Sequence, residues 1–237
     1  PLSVAGVLML FTSDPAFDNG PIWSPDVRRI VFHSLRQSHS DLYQKSSSGA
    51  GSEEAILQSE RRKDPTDWSL DGRLILYRAF DAKTNLELWV LPVGGDRKPI
   101  PFIKRTFGVG HGQFSPDGRW VAYSSNESGK WEVHVAPFPG PGGNWKVSSA
   151  GGSEPRWRRD GKELFYIAPD GKLMAVEVKE GPTFEAGTAI PLFQTRRREH
   201  VSSTDLFSYD VSADGQRFLV NTDVGEVTSP PLTVVLN

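Results

Sequence analysis

Cysteine is absent from the 237 residues, which excludes disulfides, thiolate metal ligands and a cysteine nucleophile together. No apolar run approaches the roughly 20 residues that a membrane-spanning helix requires. An excess of one charge is also missing. The chain carries 27 basic and 29 acidic residues, with a net charge of −2 and a pI near 6.3. No global field therefore favours nucleic acid or an anionic membrane surface. There is no initiator Met, and no basic residue precedes the apolar stretch Val4 to Phe11. That stretch reads as a strand and not as a signal peptide. A chain that opens at Pro1 reads as a processed product or as a piece of something longer.

What is present in quantity is turn formers and large aromatics: 23 Gly, 18 Pro and seven Trp. They point to short strands joined by tight loops. The 37% hydrophobic and 24% charged balance is that of a soluble globular chain with a substantial core.

Five segments align on an Asp: PIWSPDVRRIVFHS, TDWSLDGRLILYRA, GQFSPDGRWVAYSS, PRWRRDGKELFYIA and YDVSADGQRFLVNT. The aligned residues Asp26, Asp71, Asp117, Asp160 and Asp214 lie 45, 46, 43 and 54 positions apart. A period near 45 suits a four-stranded propeller blade, at about 5–6 residues per strand plus turns. The motif positions are 20–34, 65–79, 111–125, 154–168 and 208–222, and the whole of 1–237 is read as one β-propeller domain of about five blades.

The motif has a physical rationale at each step. Trp23, Trp68, Phe114 and Trp157 end innermost strands, where an aromatic can wedge between blades. A tight turn follows, in which Ser caps, Pro presets φ and Asp-Gly supplies local bonding and a left-handed position. Val27 replaces the turn Gly in the first repeat, so that turn either changes type or carries about 1 kcal/mol of strain. Apolar second strands follow, such as LILYRA from Leu74, then third strands at DLYQK, ELWVLP, WEVHVAPF and KLMAVEV. Fourth strands are expected at Glu54–Leu57, Pro99–Ile103, Trp145–Val147 and Ala189–Phe193. The longest spacing needs an insertion, placed at Arg196 to Asp205. The last blade lacks a fourth strand after Leu232–Leu236. Val4–Phe11 would supply it and close the ring, which removes an exposed edge. Six blades, or a cut from a larger propeller, is the alternative.

At these motifs the chain resembles the TolB-like propellers, with their WSPDGxxIAFxS repeats. It resembles still more closely the propeller fused C-terminally to bacterial serine/threonine protein kinases. The stretches FSPDGRWVAYSSNESGKWEVHVAPFPGPGG, PRWRRDGKELFYIAPDGKLMAVEV and YDVSADGQRFLVNT carry the likeness, which extends from about Thr12 onward. The sequence has no Gly-rich phosphate loop, HRD or DFG. The resemblance implies an interaction or sensory part, periplasmic or otherwise extracytoplasmic, with no catalytic residue to carry over; a monomer is expected.

Sequence signals for chemistry are few. GAGSEE at Gly49 and GGSEP at Gly151 lack the second Gly of a nucleophile elbow and read as loops between strands. His33, His39, His111, His134 and His200 show no short metal-ligand spacing. His134 reads as a strand residue, while His111 enters an innermost strand and is either a metal ligand or a hydrogen-bonded tunnel histidine. In SPDG the Gly directly follows Asp, unlike the sialidase Asp box, so these aspartates are turn residues. The triplets Arg61-Arg62-Lys63 and Arg196-Arg197-Arg198 read as solvated loops, which weighs against nucleic-acid binding.

The candidate ligand site is the tunnel mouth, where the loops leading into the innermost strands converge. Reading back from each aromatic gives Asn19, Asp64, Asp67, His111, Gln113, Glu154, Arg156, Tyr209 and Asp210. This set is polar and net acidic. It could receive a peptide amine or a cation such as Ca²⁺; alternatively it is an ordinary hydrated tunnel lining. The expected function is non-catalytic binding of a protein, a peptide or a small ligand, without nucleic acid, membrane insertion or an obligatory cofactor. A metal-dependent hydrolase or lyase on the axis is the second reading.

Overall fold

In the computed structural model of the chain, residues 11–36, 39–82, 85–140, 142–179, 181–196, 207–222 and 235–236 are described. No helix occurs among them. Five antiparallel sheets follow one another along the chain, each built from successive neighbours. Blade I comprises Asp18–Trp23, Arg29–Arg36, His39–Ser46 and Glu54–Leu57. Blade II comprises Lys63–Trp68, Leu74–Asp81, Asn85–Pro92 and Ile100–Ile103, and blade III Val109–Phe114, Trp120–Ser125, Glu132–Pro137 and Trp145–Lys146.

Blade IV comprises Ser153–Trp157, Glu163–Ile167 and Lys172–Lys179. Its third strand pairs with two short outer segments, Glu185–Ala186 and Ile190–Gln194. Blade V contributes Tyr209–Val211, Arg217–Val220 and Val235–Leu236. The strand order confirms the blade reading. Closure by Val4–Phe11 and the insertion at Arg196 to Asp205 fall almost wholly outside the described residues.

The turn after each innermost strand is held as its residue types dictate. In blade II, Ser69 Oγ donates to Asp71 Oδ1 at 2.7 Å, the same oxygen accepts the Arg73 amide, and Ser69 Oγ accepts the Leu74 amide. Blades I, III and V repeat the bonds through Ser24–Asp26, Ser115–Asp117 and Ser212–Asp214. In blade IV, where Ser is replaced, the Arg158 guanidinium holds Asp160 instead. Gly72, Gly118, Gly161 and Gly215 occupy the left-handed position. Val27 occupies it too, at φ 55°, so the blade I turn keeps its type and accepts the strain.

The core lies between the blades. Trp68 packs with Val31, Leu42 and Ile56 of blade I, and Phe114 with Leu76 and Val90 of blade II. Trp157 packs with Ala122, Val133 and Val147 of blade III. Phe165, Ile167 and Leu173 of blade IV meet Tyr209 and Phe218 of blade V. Each aromatic therefore wedges onto the preceding blade as expected, with one correction: Trp23 is 56% exposed. No sheet face of a preceding blade packs on it among the described residues.

The outer strands of blades II and IV each contain a proline, Pro101 and Pro191, and the register shifts beside each. A residue without an N–H is best tolerated on an edge strand or at a bulge, and these two outer positions meet both conditions.

Candidate functional site

The innermost strands carry the polar residues at two levels. At the upper level, near the start of each strand, Asn19 pairs with His33, Asp64 with Arg78, Gly110 with Ser124 and Ser153 with Ile167. The register then shifts, which marks a bulge in each of these strands. Gly20, His111 and Glu154 sit at the bulge with φ of 63°, 51° and 59°. For the two non-glycine residues this backbone costs on the order of 1–3 kcal/mol and re-aims their side chains.

Among these upper residues Asp64, His111 and Glu154 are buried and engaged by protein partners. The Asp64 carboxylate lies 2.9 Å from His33 Nδ1 and 2.8 Å from Arg78 Nε, all three residues being buried. Burial works to raise Asp64, but the His33 hydrogen bond and the charges of Arg78, His33 and Arg62 outweigh it and hold the carboxyl at about 2. Glu154 Oε2 accepts both the Ser208 amide and its hydroxyl, and Tyr209 Oη donates to the Glu154 carbonyl. Burial drives the Tyr209 phenol well above its ordinary pKa. His111 Nδ1 lies 3.2 Å from Ser124 Oγ, which also accepts the Glu154 amide.

Phe207 extends from blade V to these strands. Its ring centroid is 5.5 Å from that of His111, and the Arg156 guanidinium lies 3.8 Å from the ring. Phe207 thereby joins innermost-strand residues of blades III and IV to blade V.

The lower level consists of the residue just before the inter-blade position of each strand: Ile22, Asp67, Gln113, Arg156 and Asp210. Here side chains cross from blade to blade. Asp67 Oδ2 accepts the Phe114 amide at 2.8 Å, and Gln113 Oε1 accepts the Trp157 amide at 2.7 Å. Arg156 Nε approaches Asp210 Oδ1 at 3.8 Å. Burial raises the Asp67 carboxyl to about 7, against the lowering effect of the Phe114 amide and the Arg156 charge, and Asp210 adds to the rise.

A cavity of about 240 Å³ opens at this level. Asp67, Gln113, Asp210 and Arg159 supply its polar wall, with Trp68, Trp157 and Pro116 around them. Leu70, Pro116, Arg159 and Ala213 belong to the turns that follow the innermost strands. The cavity therefore opens on the face opposite the incoming loops, where the sequence reading had placed the site. Asp67, Gln113 and Asp210 are brought together in it. Asp64, His111, Glu154, Arg156 and Tyr209 are not among its lining residues. Among the described residues no three of His, Cys, Asp and Glu stand close enough to hold a metal ion.

Two features escaped the sequence reading. His33 and Arg78 occupy matching second-strand positions, three residues after Ile30 and Ile75, opposite Asn19 and Asp64, so the repeat itself carries the signal for them. Lys63 was read as part of a solvated triplet but is buried, with Nζ 2.7 Å from Asp41 and bonded to the Ser40 and Ser59 carbonyls. Burial lowers its pKa, opposed by Asp41. Arg61 is likewise engaged, by Asp81 and Glu87. His134 is a third-strand residue stacked on Tyr123, whereas His200 and Arg197-Arg198 lie outside the described residues.

No protein-family model matches the sequence. An uncharacterised protein of Agrobacterium fabrum is 26% identical over 182 residues, covering 70% of this chain and 59% of that protein. The structure of TolB from Acinetobacter baumannii superposes with a TM-score of 0.70 at 18% identity, covering 91% of this chain and 51% of that one. A putative TolB from Agrobacterium tumefaciens gives 0.56 at 13% identity, with coverages of 76% and 84%. A catalytic propeller, the periplasmic gluconolactonase of Pseudomonas aeruginosa, gives 0.53 at 15%, with coverages of 88% and 65%. The chain thus spans a little over half the length of the first relative and first structure it matches. Its fold is that of a TolB-like β-propeller.

Proposed function

We propose that this TolB-like propeller is a non-catalytic interaction or sensory module that takes a small polar ligand, or the end of a peptide, in the axial cavity on its turn face. The supporting observation is the convergence of Asp67, Gln113, Arg159 and Asp210, from four blades, around about 240 Å³. Apolar walls with a few placed polar groups are the usual make-up of a ligand pocket. The carboxylates of Asp67 and Asp210 suit an amine, and Arg159 suits a carboxylate or phosphate at the rim. An extracytoplasmic setting accords with the resemblance to TolB and belongs to the same proposal.

The test is ligand-induced thermal shift with short peptides, amino acids and sugar acids, repeated with Gln113→Leu and Asp210→Asn. Shifts seen with the wild type and lost in both variants support the cavity. Shifts that survive in both place binding elsewhere. The competing reading, a metal-dependent hydrolase or lyase on the axis, draws on the fold shared with the gluconolactonase. It would be favoured by turnover of a sugar lactone or uronate that depends on added divalent metal and disappears with Asp67→Asn.

A further inference from the structure

The third strands differ where each blade packs on the one before it. The residue paired with Ile75, Val121 and Leu164 of the second strands is Leu91 in blade II, Ala136 in blade III and Val176 in blade IV. Leu91 packs onto blade I and Val176 onto blade III. Two residues earlier on the same face come Trp89, His134 and Met174. Trp89 and Met174 join the same two apolar clusters, whereas the His134 ring stacks on Tyr123 of its own blade. With Ala136 in place of a larger aliphatic and an imidazole beside it, the outer part of the seam between blades II and III is left underfilled.

A cavity of about 590 Å³ lies there. Phe102, Phe107, Pro137 and Pro139 give it apolar walls, and Tyr123 and Ala136, both buried, line it from the seam. The loop that carries the two prolines is pinned by Phe138, whose ring lies edge-on to Phe102 at 5.5 Å and to Phe114 at 5.1 Å. The walls are therefore held in place by the fold itself.

The polar groups of this cavity are few and unspent. The Tyr123 hydroxyl accepts a hydrogen bond from Asn144 Nδ2 at 3.2 Å, and among the described residues nothing takes its own proton. Burial raises the pKa of this phenol against the effect of Asn144; the Glu127 charge adds to the rise and the Arg105 charge opposes it. Arg105 and Glu127 both line the cavity. Among the described residues neither is ion-paired, and Arg105 Nη1 bonds the carbonyl of its own neighbour, Lys104. Unpaired surface charges are ordinary, but here two of opposite sign share one cavity with a buried proton donor.

The geometry points to a second binding site, in the seam of blades II and III, for a short zwitterionic peptide with aromatic side chains. Arg105 and the Tyr123 hydroxyl take its carboxylate, Glu127 takes its ammonium, and Phe102, Phe107 and the prolines take its rings. The size suits a small organic ligand, and both end groups gain charge-assisted contacts. This site shares no lining residue with the axial cavity and does not depend on what that cavity binds.

Titration calorimetry with phenylalanyl-phenylalanine tests it, in protein carrying Gln113→Leu and Asp210→Asn so that the axial cavity is impaired. Binding is expected, and blocking the peptide by N-acetylation or by C-terminal amidation should each weaken it about tenfold or more. Arg105→Gln should erase the difference between acid and amide, and Glu127→Gln that between free and acetylated amine. Both residues are exposed, so these variants should fold. Ala136→Leu, which puts the blade II residue into blade III, should abolish binding. No heat of binding at millimolar peptide, or binding that survives Ala136→Leu, overturns the proposal. Equal binding of blocked and free peptides overturns it in favour of an internal segment of a protein chain. Binding seen only with Gln113 and Asp210 intact overturns it while leaving the axial reading in place.

Discussion

The carboxylate of Asp67 in blade II accepts the backbone amide of Phe114 in blade III at 2.8 Å while forming part of the cavity wall. One side chain therefore both joins two blades and faces whatever occupies the axis. Anything that alters its charge should be felt in stability as well as in binding.

That charge changes near neutrality. Burial raises the Asp67 carboxyl to about 7 in the folded chain, from about 3.9 when unfolded. The native state then binds more protons between these values, so the contribution is fully present below about pH 4 and is lost as pH rises towards 7. Asp67→Asn keeps an oxygen for Phe114 and removes the titration. Its denaturant midpoint should change less between pH 4 and 7 than that of the wild type, with the gain greatest at pH 8.

Asp64 has the opposite sign. Its folded value of about 2 lies below the ordinary 3.8. Its contribution is present above that ordinary value and is lost as pH falls towards 2. Asp64→Asn deprives buried His33 and Arg78 of their shared counter-charge and should cost about 3–5 kcal/mol at pH 7. The difference from the wild type in urea unfolding should shrink as the pH is lowered.

Val27 holds a left-handed turn position filled by glycine in the other four repeats. Its side chain is exposed, so Val27→Gly removes strain with little loss of packing. A gain of about 1 kcal/mol is expected, seen as a Tm several degrees higher and unchanged ligand response.

Gly112 permits blade III to approach blade II. A Cβ there would stand 2.6 Å from Leu76 Cδ2 and 3.1 Å from Leu88 Cδ2. Gly112→Ala should destabilise by about 1–3 kcal/mol, and calorimetry would register it as a lowered Tm. Gly94→Ala, with open space around the new Cβ, is the matching control.

The period of Asp26, Asp71, Asp117, Asp160 and Asp214 revealed the fold because each motif encodes a complete local device: cap, left-handed turn and following strand. The level of each polar residue along the axis was not legible. Bulges after Asn19, Pro65, Gly110 and Ser153 break the simple alternation of strand faces, so counting back from the aromatics merged two layers. Asp64 and Glu154 look like mouth residues in a string of letters, and only tertiary partners turn them inward. Burial of Lys63 is illegible for a related reason, since neighbouring charges in sequence say nothing of the Ser40 carbonyl and Asp41 carboxylate that approach from another strand.

Pro101 and Pro191 give the rim a further property. The outer edges of blades II and IV are interrupted by a residue that cannot donate to an added strand, and each edge is kinked where it occurs. A sheet edge shaped in this way is a poor template for strand addition by another chain. Resistance to edge-to-edge aggregation at high protein concentration is therefore built into these two blades, and replacing either proline with valine should weaken it.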